Sequence, residues 1–428
     1  MNMKNKNKEC IKIKPQLDDK GRYGLIGDFM EKLSDGTEAI PEFMGAEVIS
    51  FLSASIKRGQ VTTRFGATKT EPRCNALMVA GTGEGKGLSS RQFRAVKPFI
   101  NDLQVLSPEH SGGLSSAEGL VNIIRDDSED TEGNVIEGVS DKRLFVTEEE
   151  FFNVIAKSKS GSSTLSSTIR CLFDGGELAP LTKFNRIGCK KPHVVIYAHV
   201  TPKELTEKLS SIEISNGFLN RFPIFYGVRQ PDVPFPKCMQ EDVLKELAER
   251  LERVLNWCNK EKRELTYSDE YRTLWEKNYS KLRNLGARGS IEADLLARAR
   301  HYTSMYAMIF AATDCSLVIK RHHLEAALAW VDYWQQSVKY IYNTEMQSVI
   351  EDEKVNVARV VYVGIKKCIF ENGGKPIGKT PLTKLFSGRF TAAQISESLK
   401  YMQELAPPPI KVVLLPRNQH EISLREES

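Results

Sequence analysis

Through residues 76–236 short, uninterrupted apolar runs alternate with stretches of helical periodicity, and from 241 to 343 the helical period continues alone. The runs Ala76-Leu77-Met78-Val79-Ala80, Leu144-Phe145-Val146-Thr147, His193–Thr201 and Ser215–Tyr226 predict strands, largely buried as in a parallel sheet. Leu103-Gln104-Val105-Leu106 predicts a further short strand. Ahead of most of them, Phe43, Val48, Phe51 and Ile56 recur at helical spacing between Phe29 and Lys57. Ser115-Ser116 followed by Glu118 signals a helix start, and Asp174-Gly175-Gly176 closes a serine-rich helix over 162–173. Val228–Pro236 is proline-rich and ends the alternating region. Beyond it, helices are expected over Val243–Trp257, Glu270–Leu285, Ile291–Ala312 and His323–Tyr342. Residues 354–428 start afresh, with amphipathic helices over Val355–Phe370, Pro381–Phe386 and Thr391–Leu405, then two strand-like runs, Ile410–Leu415 and Glu421–Leu424. Three helices and a small hairpin are the sequence shape of a winged helix-turn-helix. The implied boundaries are a basic flexible arm (1–28), a helical lead-in (29–75), an α/β core (76–236), a helical domain (237–350) and the winged-helix-like domain (354–428).

At 428 residues, 41% hydrophobic and 27% charged, the chain can bury more than one core and has an ordinary globular balance. No apolar window approaches a membrane span, and the start MNMKNKNKECIKIKP has no apolar segment after its basic residues, so neither a span nor a signal peptide is expected. The eight cysteines stand singly, without a C-x-x-C pair or histidines at ligand spacing, which points to reduced thiols in a cytoplasmic protein and away from zinc. A net charge of +5 decides nothing about nucleic acid by itself, but residues 354–428 hold twelve Lys and Arg against six Asp and Glu. Lys375, Lys379, Lys384, Arg389 and Lys400 are therefore candidate phosphate contacts to DNA, although such domains also bind proteins.

The candidate chemistry starts where the first strand empties into Gly81-Thr82-Gly83-Glu84-Gly85-Lys86-Gly87, ahead of a polar helix expected to open at Ser89-Ser90. Strand, glycine loop, lysine and helix in that order make a phosphate cradle. Glycines let consecutive N–H groups face one oxyanion, the helix N-terminus adds partial positive charge, and Lys86 reaches the outer phosphates. The pattern departs from G-x-x-x-x-G-K-[ST] at Ala80 and Gly87, which leaves Ser89 as the candidate hydroxyl for Mg²⁺; a ligand-free turn is the alternative reading. Leu144–Val146 runs into Thr147-Glu148-Glu149-Glu150, and in a parallel sheet that tip lies beside the loop. Glu148 is assigned to the metal and Glu149 to the attacking water, within a register of one residue, against the alternative of an acidic helix start. His199 and Thr201 end the next strand, placed either to meet a terminal phosphate or to satisfy a turn. Arg221 stands between an apolar turn and an apolar strand: it either acts on the nucleotide of a neighbouring subunit or closes an internal salt bridge.

Lys86-Gly87-Leu88-Ser89, Gly113–Leu120, Phe145–Phe151, Leu165–Gly176, His193–Leu205, Asn216–Phe222 and the helical Ala297–Tyr342 region make residues 40–425 similar to a family. The chain resembles the P-loop domain found behind primase–polymerase domains in bifunctional DNA primase/polymerase proteins of phages, prophages and plasmids. Asn216-Gly217-Phe218-Leu219-Asn220-Arg221-Phe222 and the Asp174-Gly175-Gly176 turn are the most specific parts of the likeness. That family writes lysine, glycine and two hydroxyl residues in its loop, whereas here Leu88 replaces the first hydroxyl. The resemblance implies an α/β P-loop NTPase core of the AAA+ or RecA-like class, with ATP and Mg²⁺ as cofactors. It further implies a DNA helicase or replication initiator-helicase of a mobile element, working as a ring, a hexamer first, on single-stranded DNA. Gly81, Thr82, Gly83, Glu84, Gly85, Lys86, Gly87, Ser89 and His199 would hold the nucleotide, and Asn220-Arg221-Phe222 is similar to an arginine-finger segment. Since only about 75 residues precede the loop, priming is expected from a separate primase or primase–polymerase. The competing expectation is a nucleotide-gated switch that binds DNA or protein without unwinding.

Overall fold

Four of the apolar runs and one short polar segment assemble into the central sheet: β1 (Ala76–Val79), β2 (Glu109–Ser111), β3 (Arg143–Glu148), β4 (His193–Val200) and β5 (Ile224–Tyr226). The order is β2-β3-β4-β1-β5, every neighbouring pair parallel. Thus β4 lies between β1 and β3, with Val79 level with Val200 and Glu148 level with Ala198. The computed structural model describes residues 14–129, 134–158, 163–179, 187–208, 217–342, 344–387, 389–404, 408–415 and 419–425. The first thirteen residues of the expected arm, and Asn216, fall outside them.

Every residue of β3 and β4 is buried, so helices cover both faces of the sheet. On one face lie α2 (Pro41–Ser55) and α3 (Lys86–Arg94), where Phe51 meets Phe145 and Phe93 edge-on at 5.4 and 5.3 Å. Before α2, α1 (Gly24–Ser34) packs on both helices. Further along, α4 (Phe151–Ser158) and α5 (Leu165–Phe173) also pack against β4. Two strand expectations are corrected. Residues 103–106 form a 3-10 turn, Leu103–Val105, because the Asp102 carboxylate accepts the Gln104 N–H at 3.0 Å, and the strand begins at Glu109 instead. The 215–226 run narrows to β5, since a 3-10 turn over Leu219–Arg221 precedes Pro223, which has no N–H for a ladder.

The helical region belongs to the same unit, which ends at Tyr342. It comprises α6 (Glu241–Lys260), α7 (Asp269–Arg283), α8 (Ala299–Thr313) and α9 (Arg321–Tyr342). Phe225 of β5 stacks on Tyr333 at 5.4 Å and meets Trp330 edge-on at 5.3 Å, which fastens α9 to the sheet edge. The expected Ile291–Ala312 helix is two, a short Ile291–Leu295 turn and then α8. Residues 14–28, read from sequence as part of a flexible arm, are folded onto this unit: Leu17 is buried and the Trp330 indole donates to the Gly21 carbonyl at 3.0 Å.

The second unit, residues 343–428, contains α10 (Thr344–Glu371), α11 (Lys379–Leu385), α12 (Ala392–Glu404) and an antiparallel hairpin of Ile410–Leu415 with Gln419–Leu424. Val361, Ile365, Leu382, Ile395, Leu399 and Ile422 are buried in a core of its own. Among the described residues no helix is long and apolar enough to cross a membrane.

Candidate functional site

The parallel sheet brings the C-terminal ends of β1, β3 and β4 to one edge. There β1 leads through Ala80 into the glycine loop. Gly83 (φ 81°) and Gly85 (φ 77°) are left-handed. A Cβ added at Gly83 would meet nothing within 4 Å, so backbone conformation, not crowding, requires glycine there. The helix expected to open at Ser89 begins at Lys86, because Gly85 turns the chain and its carbonyl accepts the Leu88 N–H at 3.0 Å. No side chain caps α3, so the Lys86 and Gly87 N–H groups at its start are available to an anion. Lys86 is half-buried and donates to the Ala80 carbonyl at 3.0 Å. Burial lowers its pKa, and the Glu204 charge opposes the shift.

The three consecutive glutamates separate into three surroundings. Glu148 ends β3, is buried, and uses Oε2 to accept the Leu114 N–H at 3.0 Å and Oε1 to accept the Glu150 N–H at 3.2 Å. Glu149 is exposed and has no bonding partner among the described residues. Glu150 sits at the start of α4, its carboxylate accepting from the Asn153 amide at 2.8 Å. The helix-start alternative thus fits Glu150. Glu148 is fixed in place, and Glu149 is left free. Because β4 intervenes, the loop strand and the acid strand stand roughly 10 Å apart, two strand spacings.

Ser89 does not serve the metal role expected of it. Its hydroxyl is fully buried, donates to the Ile40 carbonyl at 3.1 Å and accepts the Ile40 N–H at 3.0 Å. Ser90 donates to Glu47 Oε2 at 2.6 Å and is equally enclosed. Both serines point into the body of the protein because they lie a turn into α3, on the side that faces α2. At Gly87, where the standard loop has its hydroxyl, an added Cβ would meet nothing within 4 Å. The lone hydroxyl within the glycine loop itself, on Thr82, is exposed.

His199 lies inside rather than on the loop surface: its ring stacks on Phe43 at 6.5 Å and meets Tyr197 edge-on at 5.2 Å. Burial first, then the charges of Lys86 and Arg94, push its pKa down to about 3, so it is a neutral imidazole beside the lysine. Its Nε2 is buried with no hydrogen-bond partner among the described residues. Thr201 takes the turn role. Its hydroxyl and N–H both donate to Glu204 Oε2, at 2.8 and 2.9 Å, a capping box that starts the helix Pro202–Lys208. Glu47 escaped sequence reasoning, since an acid inside an apolar-periodic helix looks like a solvent-facing position. It is wholly buried on α2, and burial pushes its pKa up to about 7 against the Ser90 hydrogen bond and the Lys97 and Arg94 charges.

Arg221 is not brought to Lys86. It precedes β5, at the N-terminal end of the strands and so opposite the loop, and is held within its own chain: Nη2 bonds Asp174 Oδ2 at 2.5 Å and Nη1 bonds the Gly217 carbonyl at 2.5 Å. The internal salt bridge is therefore present. In the second unit Lys375, Lys384, Arg389 and Lys400 are exposed, whereas Lys379 is half-buried and reaches Ser396 at 3.4 Å.

Asp314, His322 and His323 converge like metal ligands, but His323 is engaged through both ring nitrogens in hydrogen bonds. The Lys320 N–H donates to His323 Nδ1 at 3.0 Å, so Nε2 carries the proton and donates to Asp314 Oδ2 at 3.0 Å. The Tyr23 hydroxyl donates to the same oxygen at 2.7 Å. The cluster ties the start of α1 to the turn between α8 and α9. No family model matches the chain, and no curated protein matches it in sequence.

Proposed function

We propose that residues 76–236 form a P-loop nucleoside triphosphatase core of the AAA+ or RecA-like class, and that the protein is an ATP-dependent DNA helicase or replication initiator-helicase of a mobile element. The observation that carries the reading is the uncapped start of α3, with Lys86 at its first position, behind two left-handed glycines at the end of a parallel strand. Backbone N–H groups of Gly83, Gly85 and Lys86 would surround the β-phosphate, joined by that of Glu84 if it leaves the Gly81 carbonyl, and Lys86 would leave the Ala80 carbonyl for the outer phosphates. The donor set fits a triphosphate. For Mg²⁺ it fits a mostly hydrated ion, held by phosphate oxygens and, through water, by Glu148, because Ser89 and Ser90 are turned inward and Gly87 carries no hydroxyl. The ion would supply charge neutralisation at the phosphates.

Glu149, free and exposed, is the candidate base. It orients a water whose oxygen bonds to the terminal phosphorus as the bond to the bridging oxygen breaks; ADP leaves with that electron pair, and the water's proton passes to the carboxylate. Arg221, at the other end of the strands from its own loop, would act on the nucleotide of the next subunit in a ring, a hexamer first. The second unit, three helices and a hairpin, would serve as a winged helix that grips single-stranded DNA. A second reading, a nucleotide-gated switch without unwinding, is favoured by one observation: the Ser89 hydroxyl, the candidate for the metal, is committed to Ile40.

The test is ATP turnover with and without single-stranded DNA for wild type, Lys86→Ala and Glu149→Gln. A motor shows DNA-stimulated turnover that both substitutions reduce by about a hundredfold or more. Tight ATP binding without turnover supports the switch. Failure of the folded protein to bind any nucleoside triphosphate removes both readings.

A further inference from the structure

At the end of the strands away from the glycine loop, one carboxylate serves two arginines. Asp174, the residue that ends α5, bonds Arg221 Nη2 at 2.5 Å through Oδ2 and Arg298 Nη2 at 3.3 Å through Oδ1. Both guanidiniums also lie over the Phe173 ring, at 5.8 and 5.2 Å from its centre. Arg298 Nε is held by the Asn220 side-chain oxygen at 3.3 Å, so the two arginines are fixed side by side. A third guanidinium, Arg73, is buried close by with Glu71 as its partner at 2.5 Å. Among the described residues the acids in this corner are thus outnumbered by buried or half-buried arginines.

The bonding of the corner is also incomplete. Arg221 is more than nine-tenths buried, yet its Nε has no acceptor among the described residues, and the same holds for Arg73 Nε. Asp174, by contrast, keeps a side chain 45% exposed on the outer side of the pair. Two guanidiniums sharing one carboxylate and one aromatic ring, with that carboxylate touching solvent, make a seat suited to an anion with several oxygens. A carboxylate has two oxygens and one charge, so it fills such a seat less completely than a phosphate.

We infer that Asp174 is a placeholder in a two-arginine phosphate seat, and that its replacement is the terminal phosphate of a nucleotide held on the glycine loop of a second copy of this chain. The inference rests on the nucleotide reading and adds to it a second arginine, Arg298, and an internal competitor that keeps the seat closed in the lone chain. Self-association then has to displace Asp174 before the arginines can reach the partner's phosphate. Arg298 and Arg221 act together, because Asn220 and Phe173 hold them in one geometry.

The experiment uses the full chain and measures ATP turnover per chain against protein concentration, for wild type, Asp174→Asn and Arg298→Ala. Asparagine keeps the size of the side chain and removes the competing charge. Turnover per chain of wild type rises with concentration, Asp174→Asn reaches its half-maximum at a roughly tenfold lower concentration, and Arg298→Ala needs a roughly tenfold higher one. Sedimentation with a slowly hydrolysed ATP analogue should move in the same directions. A purely structural Asp174 gives the opposite sign, an upward or absent shift in Asp174→Asn, and that result overturns the inference. Should Asp174→Asn fail to fold, an unchanged midpoint in Arg298→Ala overturns it equally. Turnover that is independent of concentration in wild type defeats this inference alone, whereas absence of nucleotide binding defeats the loop reading beneath it.

Discussion

Glu47 is a carboxyl with no water to ionise into. Its Oε2 accepts from Ser90 at 2.6 Å, but its Oε1 is buried without a partner among the described residues, and burial raises its pKa from 4.5 to about 7. A pKa raised by folding means that the folded state holds the proton more tightly than the unfolded one. The stability it contributes is therefore complete below about pH 4.5 and is lost as pH rises through about 7. Glu47→Gln keeps the shape and the Ser90 bond without a titrating proton. It should match wild type in urea unfolding near pH 4.5 and exceed it above pH 7 by roughly 3 kcal/mol, at about 1.4 kcal/mol per pKa unit. Equal pH profiles for the two proteins would show that Glu47 is solvated. At Gly87 the prediction is of another kind. Because an added Cβ there meets nothing within 4 Å, Gly87→Thr can supply the missing loop hydroxyl, and the Mg²⁺ concentration for half-maximal ATP binding should fall several-fold. No change would mean that metal does not visit that side of the loop.

Among the elements, α3 shows how a loop can be legible while the helix behind it is not. The order of strand, glycines and lysine stands in the sequence, and the left-handed glycines 83 and 85 are where the turn needs them. What one sequence does not carry is which side of α3 faces the body: Ser89 looks like a free hydroxyl beside a lysine but clamps both backbone groups of Ile40. Ser89→Ala should cost about 1–3 kcal/mol, the cost of leaving the buried Ile40 N–H unbonded, and leave the Mg²⁺ dependence of nucleotide binding unchanged. Lost Mg²⁺ dependence with unaltered stability would restore its metal role. The strand at 143–148 and the hairpin of Ile410–Leu415 with Gln419–Leu424 were legible because both carry runs of β-type residues. The 103–106 segment misled because the local Asp102 cap has no periodicity to reveal it. Likewise Arg221 could be singled out as a guanidinium among apolar residues, while its partner Asp174, 47 positions earlier, could not.

At the scale of the whole molecule the division at Tyr342 separates two cores. The first unit carries the loop, the acids and the Arg221–Arg298 pair. The second has its own core and an excess of lysine and arginine in the sequence 354–428, twelve against six acids. Charge of that kind binds phosphates by releasing counterions, so its signature is a slope with salt rather than an affinity at one condition. Lys375, Lys384, Arg389 and Lys400 are exposed and able to pair with phosphates, whereas Lys379 is partly engaged by Ser396. Single-stranded DNA binding by the full chain should therefore weaken steeply with salt. The slope should fall by about one for each phosphate that is no longer neutralised, up to about four when residues 343–428 are removed. The same unit exposes Val363 and Phe370, seven positions apart on α10 and hence on one side of it, which is apolar surface that DNA phosphates do not use. If the truncated chain binds DNA with an unchanged slope, the charge on this unit is not a phosphate grip, and a protein partner meeting Val363 and Phe370 becomes the better account. Fluorescence anisotropy of a labelled oligonucleotide over a salt series, with both chain lengths, separates the two outcomes.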